Sequence, residues 1–243
     1  MITSTDNPRV REVLRLRKSR ERRRDGLFIA EGPREVERAR AAGLRIVATY
    51  VAPSLVDWDD PHAEHVDERV LRKMSYRAEP EGVLAVVEIP HHTLPERATL
   101  LLVAVGIEKP GNLGAMARTA DAAGAGALLV ADARADPWNP NAIRASTGSV
   151  FTLPIVEATT HDVEALPHQK VAATLGATRP HTEPDYTRPT AFLIGAEDGG
   201  LPDAWRTLAD VHVEIPMQGR TADSLNASAA AAVLLFEAVR QRG

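Results

Sequence analysis

Between Leu100 and Met217 the chain repeats one pattern: a short, almost wholly apolar run followed by a polar, helix-like segment. The runs are LLLVAVGI, ALLVAD, LPIVEA, KVAATLG, AFLIGAE and VHVEIPM. A strand with one wet face alternates apolar and polar residues, so runs without alternation must be covered on both faces. Strands of that kind separated by helices predict a parallel sheet between helical layers, an α/β domain over residues 99–243. Ligands of such sheets collect at the carboxyl ends of the strands, which makes the residues just after each run the informative ones. The last helix, read from about Asp223 to Arg242, contains ASAAAAVLLF and is apolar nearly all round. Such a helix is expected to pack on the sheet with one side and on a second subunit with the other.

Residues 1–92 read as a separate, smaller α/β unit, and the polar, proline-bearing stretch 93–98 reads as its linker to the rest. LFIAEG, RIVATYVA and GVLAVVEI are its strands; PREVERARAAG, stopped at Gly43, and DERVLRKMS are helices between them. Asn7 followed by Pro8 starts a first helix with Val10, Val13 and Leu14 on its buried side. That helix is expected to carry the basic run from Arg9 to Arg24, where nine Lys and Arg face only Glu12 and Glu21. The net charge of −4 argues against a nucleic-acid partner, but the cations are concentrated at one end, where phosphates could be neutralised. A solvated, salt-bridged helix is the competing reading.

Several classes are disfavoured. The chain has no cysteine, which removes disulfides and thiolate chemistry, and its histidines do not cluster, so no metal is expected. No run approaches the roughly 18 apolar residues of a membrane span. The opening MITSTDNPRVREV has no apolar core of a signal peptide, so the cytoplasm is the expected compartment. There is no P-loop, no dinucleotide fingerprint and no nucleophile elbow.

Three strand ends stand out. LLLVAVGI leads into EKPGNLGAMART, AFLIG into AEDGGLP, and VHVEIPM into QGRTADSLNAS. Singly these are turns and helix starts. In order, they resemble the SpoU, or TrmH-like, branch of the SPOUT RNA methyltransferases. Asn112, Gly114 and Arg118 match its Asn-x-Gly segment and following Arg; Gly195, Glu197, Gly200 and Leu201 match its Gly-x-Glu-x-x-Gly-Leu. Ile215, Pro216, Met217, Ser224, Leu225, Asn226 and Ser228 match the third motif, and Asn139, Pro140, Arg144, Ser146 and Gly148 an intervening one. The amino-terminal LFIAEGPREVERA and EGVLAVVE are similar to the substrate-binding domain of rRNA-modifying members, with Glu81 standing where such domains usually have Gln.

The resemblance implies a carboxyl-terminal deep trefoil knot, which periodicity alone would not suggest, and a homodimer. It implies S-adenosylmethionine as cofactor, held around Gly195, Gly200, Ile215, Met217 and Leu225, and transfer of its methyl group to a ribose 2′-hydroxyl, pointing toward 23S rRNA. Arg118, Ser224, Asn226, Asn112 and Glu197 become the catalytic set. Arg118 is either the general base or, since a guanidinium seldom yields its proton, a phosphate clamp beside the target ribose. With that site, Arg15, Arg17, Lys18, Arg22, Arg23, Arg34 and Arg144 become candidate RNA contacts. A tRNA substrate, or a noncatalytic RNA-binding protein on the same scaffold, remains the alternative.

Overall fold

A computed structural model describes every residue except Ala133 and Ala222. The chain forms two compact units, Met1–His91 with Trp138–Thr152, and His92–Pro137 with Leu153–Gly243.

The first unit opens with α1 (Pro8–Arg15), capped by Asn7, whose side chain accepts the Arg9 N–H at 2.9 Å. The basic run does not continue as one helix. Lys18 is extended, and α2 (Ser19–Asp25) starts afresh. The break has a visible use: Arg22, only 1% exposed, reaches back to donate to the carbonyls of Leu16 at 2.7 Å and Arg17 at 3.0 Å, which the end of α1 leaves open. Next come β1 (Leu27–Glu31), α3 (Pro33–Ala41), β2 (Ile46–Val51), β3 (Glu64–His65), α4 (Glu68–Met74) and β4 (Val83–Glu88). The sheet runs β1-β4-β2-β3, antiparallel except for the β2–β3 pair. Ile29, Leu84 and Val86 pack with Val10, Val13, Val70 and Leu71 to make the core.

The second unit holds β5 (Leu100–Val105), α5 (Pro110–Ala122) and β6 (Ala127–Ala131). The chain then supplies α6 (Pro140–Ser146) to the first unit, where the ring of Phe28 lies 5.0 Å from that of Trp138 and 5.7 Å from that of Phe151. It returns as β7 (Ile155–Glu157), α7 (Thr160–Glu164), β8 (Gln169–Ala173), β9 (Thr190–Ile194), α8 (Asp203–Leu208), β10 (Val211–Val213) and α9 (Ala227–Arg242). All six strands are parallel, in the order β10-β8-β9-β5-β6-β7. β5, β6 and β9 are buried along their whole length, as unalternated strands require. Leu94 and Ala98, from the proline-bearing stretch, pack on this core. Among the described residues no helix is long and apolar enough to cross a membrane.

The last helix begins at Ala227, four residues later than the sequence suggests. Asn226 is its cap, accepting the Ala229 N–H at 2.8 Å, which leaves Ser224 and Leu225 in the preceding loop. Near its end, Glu237 is buried, and bonds from Arg240 and Gln241 pull its carboxyl from the ordinary 4.5 to about 2. Folding therefore favours its ionised form. The stability it adds is complete above about pH 4.5 and is lost as pH falls toward 2. Thermal melts of Glu237→Gln should lie below those of the parent chain at neutral pH and converge with them through that acid window. A gap that stays constant would show that ionisation of Glu237 adds no stability.

Candidate active site

The three strand ends singled out in the sequence meet at one carboxylate. After β9, Gly195 leads into a loop that curls back on itself, with the Gly200 N–H donating to Ala196 O at 2.9 Å and Gly200 at φ +61°. Glu197, in that loop, accepts from Lys109 Nζ at 2.6 Å and Asn112 Nδ2 at 2.7 Å, both just after β5, and the backbone N–H of Ala227 at the start of α9 is near enough to favour its charged form. The Lys109 bond first, then that from Asn112, holds the Glu197 carboxyl below its usual range, while Glu197 raises the Lys109 ammonium. A carboxylate so committed is a clamp across three loops and a poor proton acceptor at neutral pH.

On one side of the clamp lies a cavity of about 350 Å³ at the carboxyl ends of β8, β9 and β10. Gly195, Glu197, Gly200, Ile215, Met217, Ser224 and Leu225 all line it, so the sequence motifs converge on one wall. On the other side a cleft of about 590 Å³ shares Ala196–Gly200 and adds Lys109, Asn112, Asp132 and Arg134. Asp132, at φ 49°, is fixed there by the indole N–H of Trp205 at 2.7 Å.

Some expected residues stand elsewhere. Asn226 caps α9 and is absent from the cavity wall, although it adjoins Leu225 and Ala227, which are on it. Arg118 is exposed, lines neither space, and makes no hydrogen bond or ion pair among the described residues. It lies six residues, about 9 Å of helix rise, beyond Asn112. Thr174 and Leu175 line the cavity but were not among the residues singled out. They fall at the end of the run KVAATLG, directly after the last residue of β8, and so under the same strand-end rule as the others. Lys109 was likewise hidden, because nothing local pairs it with Glu197.

The basic run is largely engaged within the protein. Arg15 pairs with Glu21 at 3.2 Å and Asp25 at 2.8 Å, Arg17 bonds to the carbonyls of Lys73 and Ser75, and Arg22 is buried, which takes its guanidinium away from any ligand face. Arg23 is exposed; Arg11, Lys18 and Arg20 are exposed with no ion pair among the described residues. Arg34 bonds to Glu35 and Arg144 to Asn141. In α6 the motif around Arg144 has local explanations. Asn139 caps, Pro140 begins the helix, and Ser146, fully buried, donates to Ile143 O at 2.7 Å.

Fold and site thus define an α/β protein with a small-molecule cavity at the strand ends of a parallel sheet, walled by glycine loops tied to one acid. The chain belongs to the SpoU rRNA methylase family, whose profile matches residues 99–236; an MRM3-like substrate binding domain matches residues 7–85. Over 177 residues it is 44% identical to the 23S rRNA (uridine(2479)-2'-O)-methyltransferase of Streptomyces viridochromogenes, covering 67% of this chain and 61% of that protein. A solved RNA 2'-O ribose methyltransferase is 42% identical, with a TM-score of 0.84 over 99% of this chain and 98% of the other. The SpoU methyltransferase AviRb of Streptomyces viridochromogenes, in complex with the cofactor AdoMet, is 32% identical, with a TM-score of 0.86 over 97% and 98%.

Proposed function

We propose that this chain transfers a methyl group from S-adenosylmethionine to a ribose 2′-hydroxyl of 23S ribosomal RNA. The observation that carries this reading is the Glu197 clamp, which joins the three family motifs around one cavity. The cavity fits the cofactor: its volume is in the small-molecule range, and Leu175 and Leu225, 69% and 38% exposed, offer apolar walls for an adenosine to cover. Backbone groups around Gly195, Ile215 and Met217 complete the cradle. When bound, the cofactor supplies an electrophilic methyl group on a sulfonium.

The chain's own residues then have to align the 2′-oxygen and let its proton leave. Ser224 is on the cavity wall, with its hydroxyl 3.2 Å from Asp223 Oδ1, and is placed to orient the ribose. Alignment of this kind supplies several kcal/mol of a barrier without covalent chemistry. Glu197 and Asn112 hold the loops in register. Arg118, permanently charged, clamps the phosphate beside the target ribose, and the proton departs to that phosphate or to water.

The same reading includes a homodimer and a carboxyl-terminal trefoil knot. Dimerisation is supported by α9, where Ala229, Val233 and Phe236 recur at helical spacing and Phe236 is 48% exposed. It also gives Arg118 a use: outside its own chain's cavity, it serves the cleft of the facing protomer. Phe236→Glu is expected to weaken the dimer at least a hundredfold, since losing burial of two phenyl rings costs about 3 kcal/mol or more. Sedimentation velocity reads this directly, and an unchanged dimer would remove α9 from the interface. For the knot, membership of the family is the support.

Cofactor binding by calorimetry, followed by transfer of tritiated methyl to RNA, tests the activity. A protein that binds RNA without incorporating label would be a noncatalytic member of the family, and label confined to tRNA would move the substrate.

A further inference from the structure

In the first unit a buried carboxylate is used to hold an exposed aromatic ring. Glu31 is buried; it accepts from Ser75 Oγ and from the backbone N–H groups of Tyr76 at 2.9 Å and Arg77 at 3.3 Å, pinning the turn after α4. Tyr76 itself is 40% exposed. Beside it sits Glu35, only 1% exposed. Its Oε1 accepts from Arg34 at 3.1 and 2.6 Å, whereas Oε2 accepts no hydrogen bond among the described residues and has the Arg77 guanidinium 3.5 Å away. A buried acceptor left without a donor is destabilising, so this oxygen needs a reason. Glu35 lines a cavity of about 10 Å³, room for one water-sized group, together with Tyr76, Arg77, Asn141 and Arg144. Arg144 is exposed and bonded to Asn141 at 3.0 Å, at the rim of this cavity.

We infer that this corner binds one unstacked purine nucleotide of the RNA substrate. The base stacks on Tyr76, and an N–H of its edge enters the small cavity to donate to Glu35 Oε2. Arg77, alongside, held in place by an ion pair with Glu81 and a bond from Nη2 to Glu31 O at 3.3 Å, turns its remaining N–H toward the neighbouring acceptor of the same edge. Every base edge carries donor and acceptor side by side, as the Glu35–Arg77 pair requires, and a purine gives the larger stacking surface on Tyr76. Arg144 and Arg34 take the flanking phosphate. Two cations distant in sequence are thus assigned to one site, and Tyr76 becomes its base-reading residue.

This inference rests on the rRNA methyltransferase reading, and one set of samples tests both. Fluorescein-labelled RNA hairpins differing only in a single bulged position, G, A, U or abasic, are titrated with the full chain by anisotropy at several salt concentrations. The purine bulges should bind about tenfold tighter than the abasic one, the size expected for one stacked base. Tyr76→Ala should erase that difference and Tyr76→Phe keep it, while Arg144→Ala should weaken every hairpin and lower the salt slope by about one. Equal binding of purine and abasic bulges by the parent chain would mean that the cavity holds only water, and would overturn the inference. So would a Tyr76→Ala loss as large on the abasic hairpin. Methyl transfer to 23S rRNA by the same preparations separates the claims: transfer without purine preference sinks only this site, whereas neither RNA binding nor transfer sinks the function.

Discussion

Gly195→Ala is expected to lower S-adenosylmethionine affinity by roughly a hundredfold or more, since about 3 kcal/mol of overpacking falls on the cavity wall. A Cβ at this position would lie 2.2 Å from the carbonyl carbon of Gly200, 2.3 Å from its oxygen and 2.4 Å from the nitrogen of Leu201. These are backbone atoms of one curled loop, so no side chain can swing aside. The loop must open, and it carries Glu197, whose bonds to Lys109 and Asn112 would be pulled with it. Gly200→Ala is the contrasting case: nothing lies within 4 Å of its Cβ, and only the left-handed φ of +61° is strained, at about 1 kcal/mol. Calorimetry should therefore rank the two clearly, with Gly200→Ala about fivefold weaker than the parent. Full affinity in Gly195→Ala would show that this loop is not the cofactor wall.

Arg118→Ala is expected to cut methyl transfer by about 10²–10³-fold, as losing one preorganised charge at a reacting group does. S-adenosylmethionine affinity should stay within twofold, because Arg118 lines neither the cavity nor the adjoining cleft. This split between binding and turnover distinguishes a phosphate clamp from a folding residue. The dimer reading adds a sharper test. Mixing Arg118→Ala with Ser224→Ala chains should restore about a quarter of parental turnover, because half of randomly re-formed dimers hold one intact composite site of two. If the residues act within one chain, each mixed dimer has no complete site and nothing is regained.

The parts legible in the sequence were those set by local pattern. Unalternated apolar runs specified the parallel sheet, and the glycines and polar residues just after them marked the cavity walls at Gly195, Met217 and Leu225. What escaped depended on partners far along the chain. Arg22 reads as one more cation in a basic run, and only the carbonyls at the end of α1 turn it inward. The same bond explains why the run splits into two helices. Lys109 has no local signal, since its partner stands 88 positions later. Trp138–Thr152 lies within the sequence of the second domain, yet Phe28 offers aromatic neighbours that composition cannot reveal. The start of α9 shifted because Ser224 and Asn226 are both good caps, and the choice between them lay in which side chain reaches a free N–H.

If methyl goes to a ribose oxygen of 23S rRNA, the linkage next to the methylated ribose reports on it chemically. A 2′-O-methyl group removes the nucleophile that cleaves RNA in alkali, so labelled 23S rRNA should yield the tritium in alkali-resistant dinucleotides at one position. That label should disappear with Arg118→Ala. Label released as mononucleotides would place the methyl on a base, and the chain would then not be a ribose methyltransferase.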